Sequence, residues 1–331
     1  MTGKFTIIVR NNKVQFTIEL MRKITVISGD SATGKTTLVS LLRSFQNYGA
    51  QSGIKVSSTR PCMVIDSSNW QSLVEQTQDA ILFIDEGNSF LRSKEFADAV
   101  KHSSCYFVLV TRESLSQLPY SVHSILKLKK TASRSKITYN RSYPVYDHIQ
   151  SFIAHLENAY ILITEDSGSG FQLFSHIAQL KGTDCLTASG KSNIPDAMLN
   201  NRDKKLIIIA DGAAFGSEIK KVYEIMEEMR QSNDVILYLP ESFEWIILKS
   251  GIVHTNALDD ILESPWNFID SNDYTSWEQF FFDYLQNITK DSVFHYSKTN
   301  LPKPYFDELN IQKIISVITG EMQLPDYSRQ D

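Results

Sequence analysis

Cysteine is scarce: Cys62, Cys105 and Cys185 are the three in 331 residues, and they lie far apart. That spacing excludes a disulfide framework and a zinc site built on paired cysteines. Cys105 and Cys185 stand in apolar runs, where cysteine acts as a small hydrophobe. Long apolar stretches are missing too. No run of about 18 uncharged apolar residues occurs, which argues against a membrane span. The opening MTGKFTIIVRNNKVQF alternates charged with apolar residues and lacks the core of a secretory leader. Positive charge is not in excess: 33 Lys+Arg against 38 Asp+Glu gives −5, so no global field draws the chain to nucleic acid or anionic lipid. Internal repeats and low-complexity tracts are absent. The expectation is a soluble, cytoplasmic protein with no membrane partner. Its length suggests two domains at about 150 residues each.

What is present begins with two β-prone runs, 5–9 (FTIIV) and 14–20 (VQFTIEL), separated by Arg10-Asn11-Asn12-Lys13. The Asn pair tolerates positive φ, so a tight β-hairpin is expected. A buried-strand pattern, 23–28, then runs directly into Gly29-Asp30-Ser31-Ala32-Thr33-Gly34-Lys35-Thr36-Thr37 and the apolar helical run LVSLLRSF. This is strand, GxxxxGK[ST], helix. Its glycines let consecutive backbone N–H groups turn toward phosphate oxygens. Lys35 is expected to reach the β and γ phosphates, and the Thr36 hydroxyl to ligate Mg²⁺.

A second phosphate-site element follows on another buried strand, Ala80-Ile81-Leu82-Phe83-Ile84-Asp85-Glu86. In this Walker B pattern Asp85 is expected to hold the Mg²⁺ shell and Glu86 to act as general base toward the attacking water. The strand pattern 106–112 ends in Thr111 and Arg112, which either sense the γ phosphate or cap the strand in solvent. Arg92, after Walker B, is either an arginine finger for a neighbouring subunit or an exposed helix residue.

On these motifs residues 1–130 resemble the P-loop NTPase superfamily. The hairpin before the P-loop is similar to that of ABC-type ATPases, but no LSGGQ-like signature lies between Walker A and Walker B and the segment is too short for a helical insertion. A compact, AAA-like or otherwise divergent ATPase is the better match. ATP is favoured over GTP because no NKxD guanine-reading motif follows the third buried strand.

Residues 127–141 (KLKKTASRSKITYNR) carry Lys127, Lys129, Lys130, Arg134, Lys136 and Arg141 and no acid. Two readings stay open. The stretch follows a nucleic-acid backbone, with Tyr139 and Tyr143 stacking on bases, or it is a solvated linker with an edge hairpin whose lysines discourage strand pairing.

The second half alternates strand and helix: AYILIT, GFQLFSHIAQL, DCLTAS, IPDAML, KKLIIIAD, SEIKKVYEIMEEMRQ, DVILYLP and FEWIILKSG. Four strands in this rhythm imply a parallel sheet with ligands at its carboxyl ends. Those ends read Glu165-Asp166, Ser189-Gly190-Lys191, Asp211-Gly212-Ala213 and Pro240-Glu241, with Glu244 just beyond. Oxygen ligands of this kind suit Mg²⁺. The pattern over 159–250 resembles the Toprim domain of topoisomerases, primases and overcoming-lysogenization-defect (OLD) nucleases. The resemblance places the family's glutamate at Glu165 and the first aspartate of its DxD motif at Asp211. Ala213 stands where the second aspartate belongs, and Glu241 or Glu244 are the substitutes in reach. Lys191 is positioned to neutralise a phosphate. The alternative is a set of solvated caps on a silent domain.

The expected architecture is therefore α/β with two α/β domains: a P-loop NTPase domain over 1–130, a basic linker and connecting helix over 131–158, a Toprim-like domain over 159–250, and a mostly helical region over 251–331 packed on the second domain. The implied function is an ATPase, with ATP and Mg²⁺ bound, whose nucleotide state controls a Mg²⁺-dependent nucleic-acid-processing domain. The expected metal ligands are Thr36, Asp85, Glu165, Asp211 and Glu241. The alternative is a nucleotide-gated switch, in which ATP orders a homo-oligomer or a protein-partner interface.

Overall fold

A computed structural model describes residues 1–29, 33–66, 68–134, 136–146, 160–229 and 235–320. The chain is α/β, with a large mixed sheet and a smaller parallel one. It divides into two compact units, 1–147 with 263–277, and 148–262 with 278–331. The connecting helix expected around 147–158 and the chain end after 320 lie outside the described residues.

In the first unit the strands are β1 (Phe5–Arg10), β2 (Val14–Leu20), β3 (Ile24–Ile27), β4 (Lys55–Ser57), β5 (Cys62–Ile65), β6 (Ile81–Ile84), β7 (Tyr106–Val110), β8 (Ile125–Arg134) and β9 (Ile137–Pro144). The helices are α1 (Lys35–Tyr48), α2 (Trp70–Gln76) and α3 (Lys94–His102). The nine strands form one sheet in the order β4-β1-β2-β9-β8-β3-β7-β6-β5. From β8 to β5 all pairings are parallel. β3, β6 and β7 are buried at every position, as continuous apolar runs must be when helices cover both faces. Leu38, Val39 and Leu42 of α1 pack on Phe83, Tyr106 and Val108. On the opposite face Phe96 of α3 meets Phe107 edge-on at 6.0 Å.

β1 and β2 form the expected antiparallel hairpin. Its turn is made differently from the positive-φ turn expected: Asn11 and Asn12 keep negative φ, and the Asn11 side chain accepts hydrogen bonds from the backbone N–H of Lys13 and Val14 at 2.8 and 2.9 Å. This is an Asx turn, in which a short amide replaces a backbone acceptor.

Two boundaries also differ from expectation. Residues 131–144 are not a linker, because β8 and β9 pair antiparallel and sit inside the sheet, β8 on β3 and β9 on β2. A domain end at 130 cuts through β8. Residues 263–277, assigned from sequence to the second domain, belong to the first unit. Lys23, which is 3% exposed, donates from Nζ to the carbonyls of Lys101 at 3.0 Å and Ser271 at 2.7 Å. Ser271 Oγ donates to the Ser104 carbonyl at 2.9 Å, and the Arg22 guanidinium stacks 3.4 Å from the Trp277 ring centroid.

The second unit contains β10 (Tyr160–Thr164), β11 (Cys185–Thr187), β12 (Lys205–Ile209) and β13 (Val235–Tyr238), all parallel in the order β11-β10-β12-β13. The helices are α4 (Ser169–Leu180), α5 (Ile194–Asn200), α6 (Ile219–Met229), α7 (Phe243–Lys249), α8 (Leu258–Glu263), α9 (Trp277–Thr289, in this unit from Glu278) and α10 (Glu308–Thr319). The register aligns Thr164, Ile209 and Tyr238, so the residues that follow share one rim. No helix among the described residues is long and apolar enough to cross a membrane.

Replacing Lys23 by Met removes two hydrogen bonds to main-chain carbonyls, the one to Ser271 buried and the one to Lys101 part-buried. The expected cost is about 1–3 kcal/mol, read from urea unfolding, together with faster proteolysis within 263–277.

Candidate functional site

Three parallel strands of the first unit deliver their carboxyl ends to one rim. β3 leads into the Gly29–Thr37 loop, β6 into Asp85-Glu86, and β7, which lies between them, into Thr111-Arg112. Asp30, Ser31 and Ala32 lie outside the described residues. Thr33, Gly34, Lys35, Thr36, Thr37, Glu86 and Arg112 together line a cavity of about 240 Å³.

Local backbone chemistry explains the cavity floor. Gly34 caps α1 at φ 91°, and a Cβ there would meet the Phe16 ring at 3.0 Å. Only glycine takes this conformation without strain. Gly34 at the N-cap of α1 supplies no side-chain cap and no acid occupies the first turn, so among the described residues the first N–H groups of the helix and its dipole face the cavity, the arrangement that binds anions. Lys35 is 5% exposed. Its Nζ donates to the Gly29 carbonyl at 2.5 Å and to Thr33 Oγ1 at 3.3 Å, which holds the ammonium across the loop.

Glu86 Oε1 lies 3.6 Å from Arg112 Nε, so the strand-end arginine joins the same cavity. Thr111 is buried and accepts from the Glu113 backbone N–H at 3.1 Å. Asp85 accepts from the Glu86 N–H at 2.8 Å and is not among the lining residues. Burial pushes its carboxyl above the usual range, opposed by its backbone hydrogen bond and by Arg43. Arg92 forms an ion pair with Glu113 of its own chain at 2.9 Å, both side chains more than half exposed.

In the second unit Glu165, Asp166 and Asp211 line one small cavity of about 30 Å³. Glu165 Oε2 accepts from the Asp211 N–H at 3.1 Å, Asp211 Oδ1 from the Phe243 N–H at 3.0 Å, and Asp166 Oδ1 from the Phe171 N–H at 3.0 Å. Gly212 allows the Asp211 strand end to close on β13, since a Cβ there would lie 2.7 Å from the Leu239 carbonyl oxygen. Glu244 is 2% exposed; Tyr296 donates to its Oε1 at 2.8 Å, and its buried Oε2 has no hydrogen-bond partner among the described residues. Lys298 pairs with Glu278 at 3.0 Å.

So many carboxylates in a buried site oppose ionisation. Burial pushes Glu165 up to about 7, against the Asp211 backbone hydrogen bond, with Glu278 adding to the rise. Burial raises Asp211 well above the usual range, reinforced by Glu278, Glu165 and Glu244.

Glu165 and Asp211 are thus brought together, whereas Glu241 is outside the lining of their cavity. Lys191 donates to the Ala214 carbonyl at 2.8 Å. Ala213 is buried at 2% exposure. Among the described residues no three His, Cys, Asp or Glu side chains are arranged to hold a metal ion. Asp166, Glu278, Tyr296 and Lys298 were not among the expected site residues. Asp166 sits beside Glu165 and was legible as a strand end; the others lie more than 100 residues away in α9 and the loop after it and carry no local signal. No protein-family model matches the chain, and no curated protein does.

Glu165 supplies a pH dependence. Its folded pKa, about 7, exceeds the ordinary 4.5, so the folded chain keeps a proton that the unfolded chain releases. The stabilisation is complete below the ordinary value and is lost as pH rises through about 7. In metal-free buffer the second unit is expected to melt at lower temperature at pH 8 than at pH 5, and Glu165→Gln to flatten that profile in melts followed across pH.

Proposed function

We propose that the first unit is a P-loop ATPase. The observation that carries this reading is the single cavity shared by the Thr33–Thr37 turn, Glu86 and Arg112. Phosphate recognition needs converging N–H donors and a cation, and hydrolysis needs a carboxylate beside the terminal phosphate. The α1 N-terminus and Lys35 meet the first need, and Glu86 the second. Arg112, drawn in by Glu86, is placed to answer the charge of the γ phosphate. Thr36 would be the hydroxyl that holds Mg²⁺, which would neutralise phosphate charge; Asp85, outside the cavity lining and accepting from the Glu86 N–H, fits an outer role through water.

For the second unit we propose a Toprim-like module acting on nucleic acid under control of the nucleotide state. The fit to a divalent cation rests on Glu165 and Asp211, which line one cavity and each commit one oxygen to a backbone N–H, leaving the other. Mg²⁺ takes few protein carboxylates and keeps its waters, which matches two ligands better than three. A second reading, a nucleotide-gated switch or scaffold with a silent module, is favoured by buried Ala213 and by the small size of the cavity.

Lys35→Ala is expected to abolish ATP binding in calorimetry; unchanged affinity sinks the P-loop reading. Glu86→Gln is expected to bind ATP and to hydrolyse it about 10²–10⁴-fold more slowly. With Mg²⁺ or Mn²⁺ the chain is expected to nick plasmid DNA, and Glu165→Ala to lose that activity. No cleavage under any metal or nucleotide condition assigns the second unit to the silent reading.

A further inference from the structure

The sheet of the first unit has a charged face that neither carboxyl rim uses. β1, β2 and β8 turn Ile7, Val9, Phe16, Ile18 and Leu128 toward α1, and the two-residue strand period sends the residues between them to the other side. Strand register decides which outward residues are neighbours. Arg10 stands opposite Lys55 on β4 and Gln15 on β2, and Gln15 stands opposite Tyr139 on β9. In the next row Thr17 is opposite Arg141, and Arg141 is opposite Lys129 on β8. Tyr143 is opposite Lys127, with the Lys129 ammonium 5.8 Å from its ring centroid.

Arg10, Lys55, Lys129 and Arg141 are exposed, and Tyr143 is 37% exposed. In the outward rows Glu19 is the one acid among the described residues, and it pairs with Lys4 at 2.9 Å. Cations from four strands, up to about 130 residues apart in sequence, thus share one surface on a chain whose net charge is −5. The four interstrand gaps of about 4.8 Å from β4 to β8 make this two-row surface about 19 Å long. That length spans several phosphates of an extended strand.

We propose that this sheet face binds single-stranded nucleic acid, with Arg10, Lys55, Lys129 and Arg141 on phosphates and Tyr139 and Tyr143 stacking on bases. Charge complementarity selects a polyanion, and tyrosines interleaved with cations select one with exposed aromatic faces. Neither an anionic membrane nor an acidic protein needs the tyrosines. The face shares no residue with the nucleotide cavity, so the proposal does not rest on the hydrolase reading.

The test is fluorescence anisotropy of the full chain with a labelled oligothymidylate, beside a duplex of the same length and vesicles of phosphatidylserine. Four phosphate contacts predict that log K falls against log salt with a slope of about −3. Lys129→Gln with Arg141→Gln should flatten the slope by about 1.4 and leave ATP binding intact, which separates failure here from failure of the P-loop reading. Tyr143→Ala should weaken binding about tenfold with little change in slope. Oligonucleotide binding that is absent at low salt, or indifferent to the paired glutamine substitutions, overturns the proposal. Preference for the duplex, or for vesicles, with no response to Tyr143→Ala overturns it as well.

Discussion

A parallel strand buried on both faces exposes chemistry only where it ends, and both units of this chain obey that constraint. β3, β6 and β7 have no solvent-facing side along their length, so the loop glycines, Glu86 and Arg112 meet because their strands stop at the same level. In the second sheet the in-register ends of β10 and β12 bring Glu165 and Asp211 together for the same reason. Apolar burial against α1 and α3 therefore fixes the position of polar groups that contribute little to the core themselves. A strand slipped by one residue would move its terminal group and reverse its faces.

The two rims use burial in opposite senses. At the first, a buried lysine is kept at a helix N-terminus, held by the Gly29 carbonyl and the Thr33 hydroxyl, with Arg112 in the same cavity. At the second, carboxylates are packed until protonation or a cation must relieve them. Lys298 answers part of that charge through Glu278, and Tyr296 through Glu244. Charge in the first site favours an incoming anion, whereas the second favours an incoming cation or proton.

Legibility in the sequence followed the locality of each constraint. The turn from β3 into α1 could be read because Gly34, Lys35 and Thr36 lie within one turn, and glycine at φ 91° leaves little freedom of residue type. Strand and helix alternation in the second half was legible because each element is an unbroken apolar run. The fate of 131–144 was not: the strands that flank the β8–β9 hairpin, β2 and β3, lie about 100 residues earlier in the chain, and abundant Lys and Arg resemble a solvated linker. Glu278 and Lys298 escaped notice because their place depends on how α9 and the following loop pack. The Asn11 turn was placed correctly, but its mechanism was not, since the sequence motif permits both a left-handed backbone and an Asx turn.

The first unit is discontinuous in the chain. Its sheet is complete by residue 144, yet residues 263–277, tied down through Lys23 and Ser271, arrive after more than a hundred residues of the other unit. During synthesis the amino-terminal sheet must therefore wait for the second unit to be largely made before its last segment can be laid down. Until then the groups that Ser271 satisfies, the Lys23 ammonium and the Ser104 carbonyl, must be solvated by water. A gene fragment cut at the end of β9 encodes a sheet without its final strap, and no single contiguous fragment encodes one unit whole without also encoding part of the other.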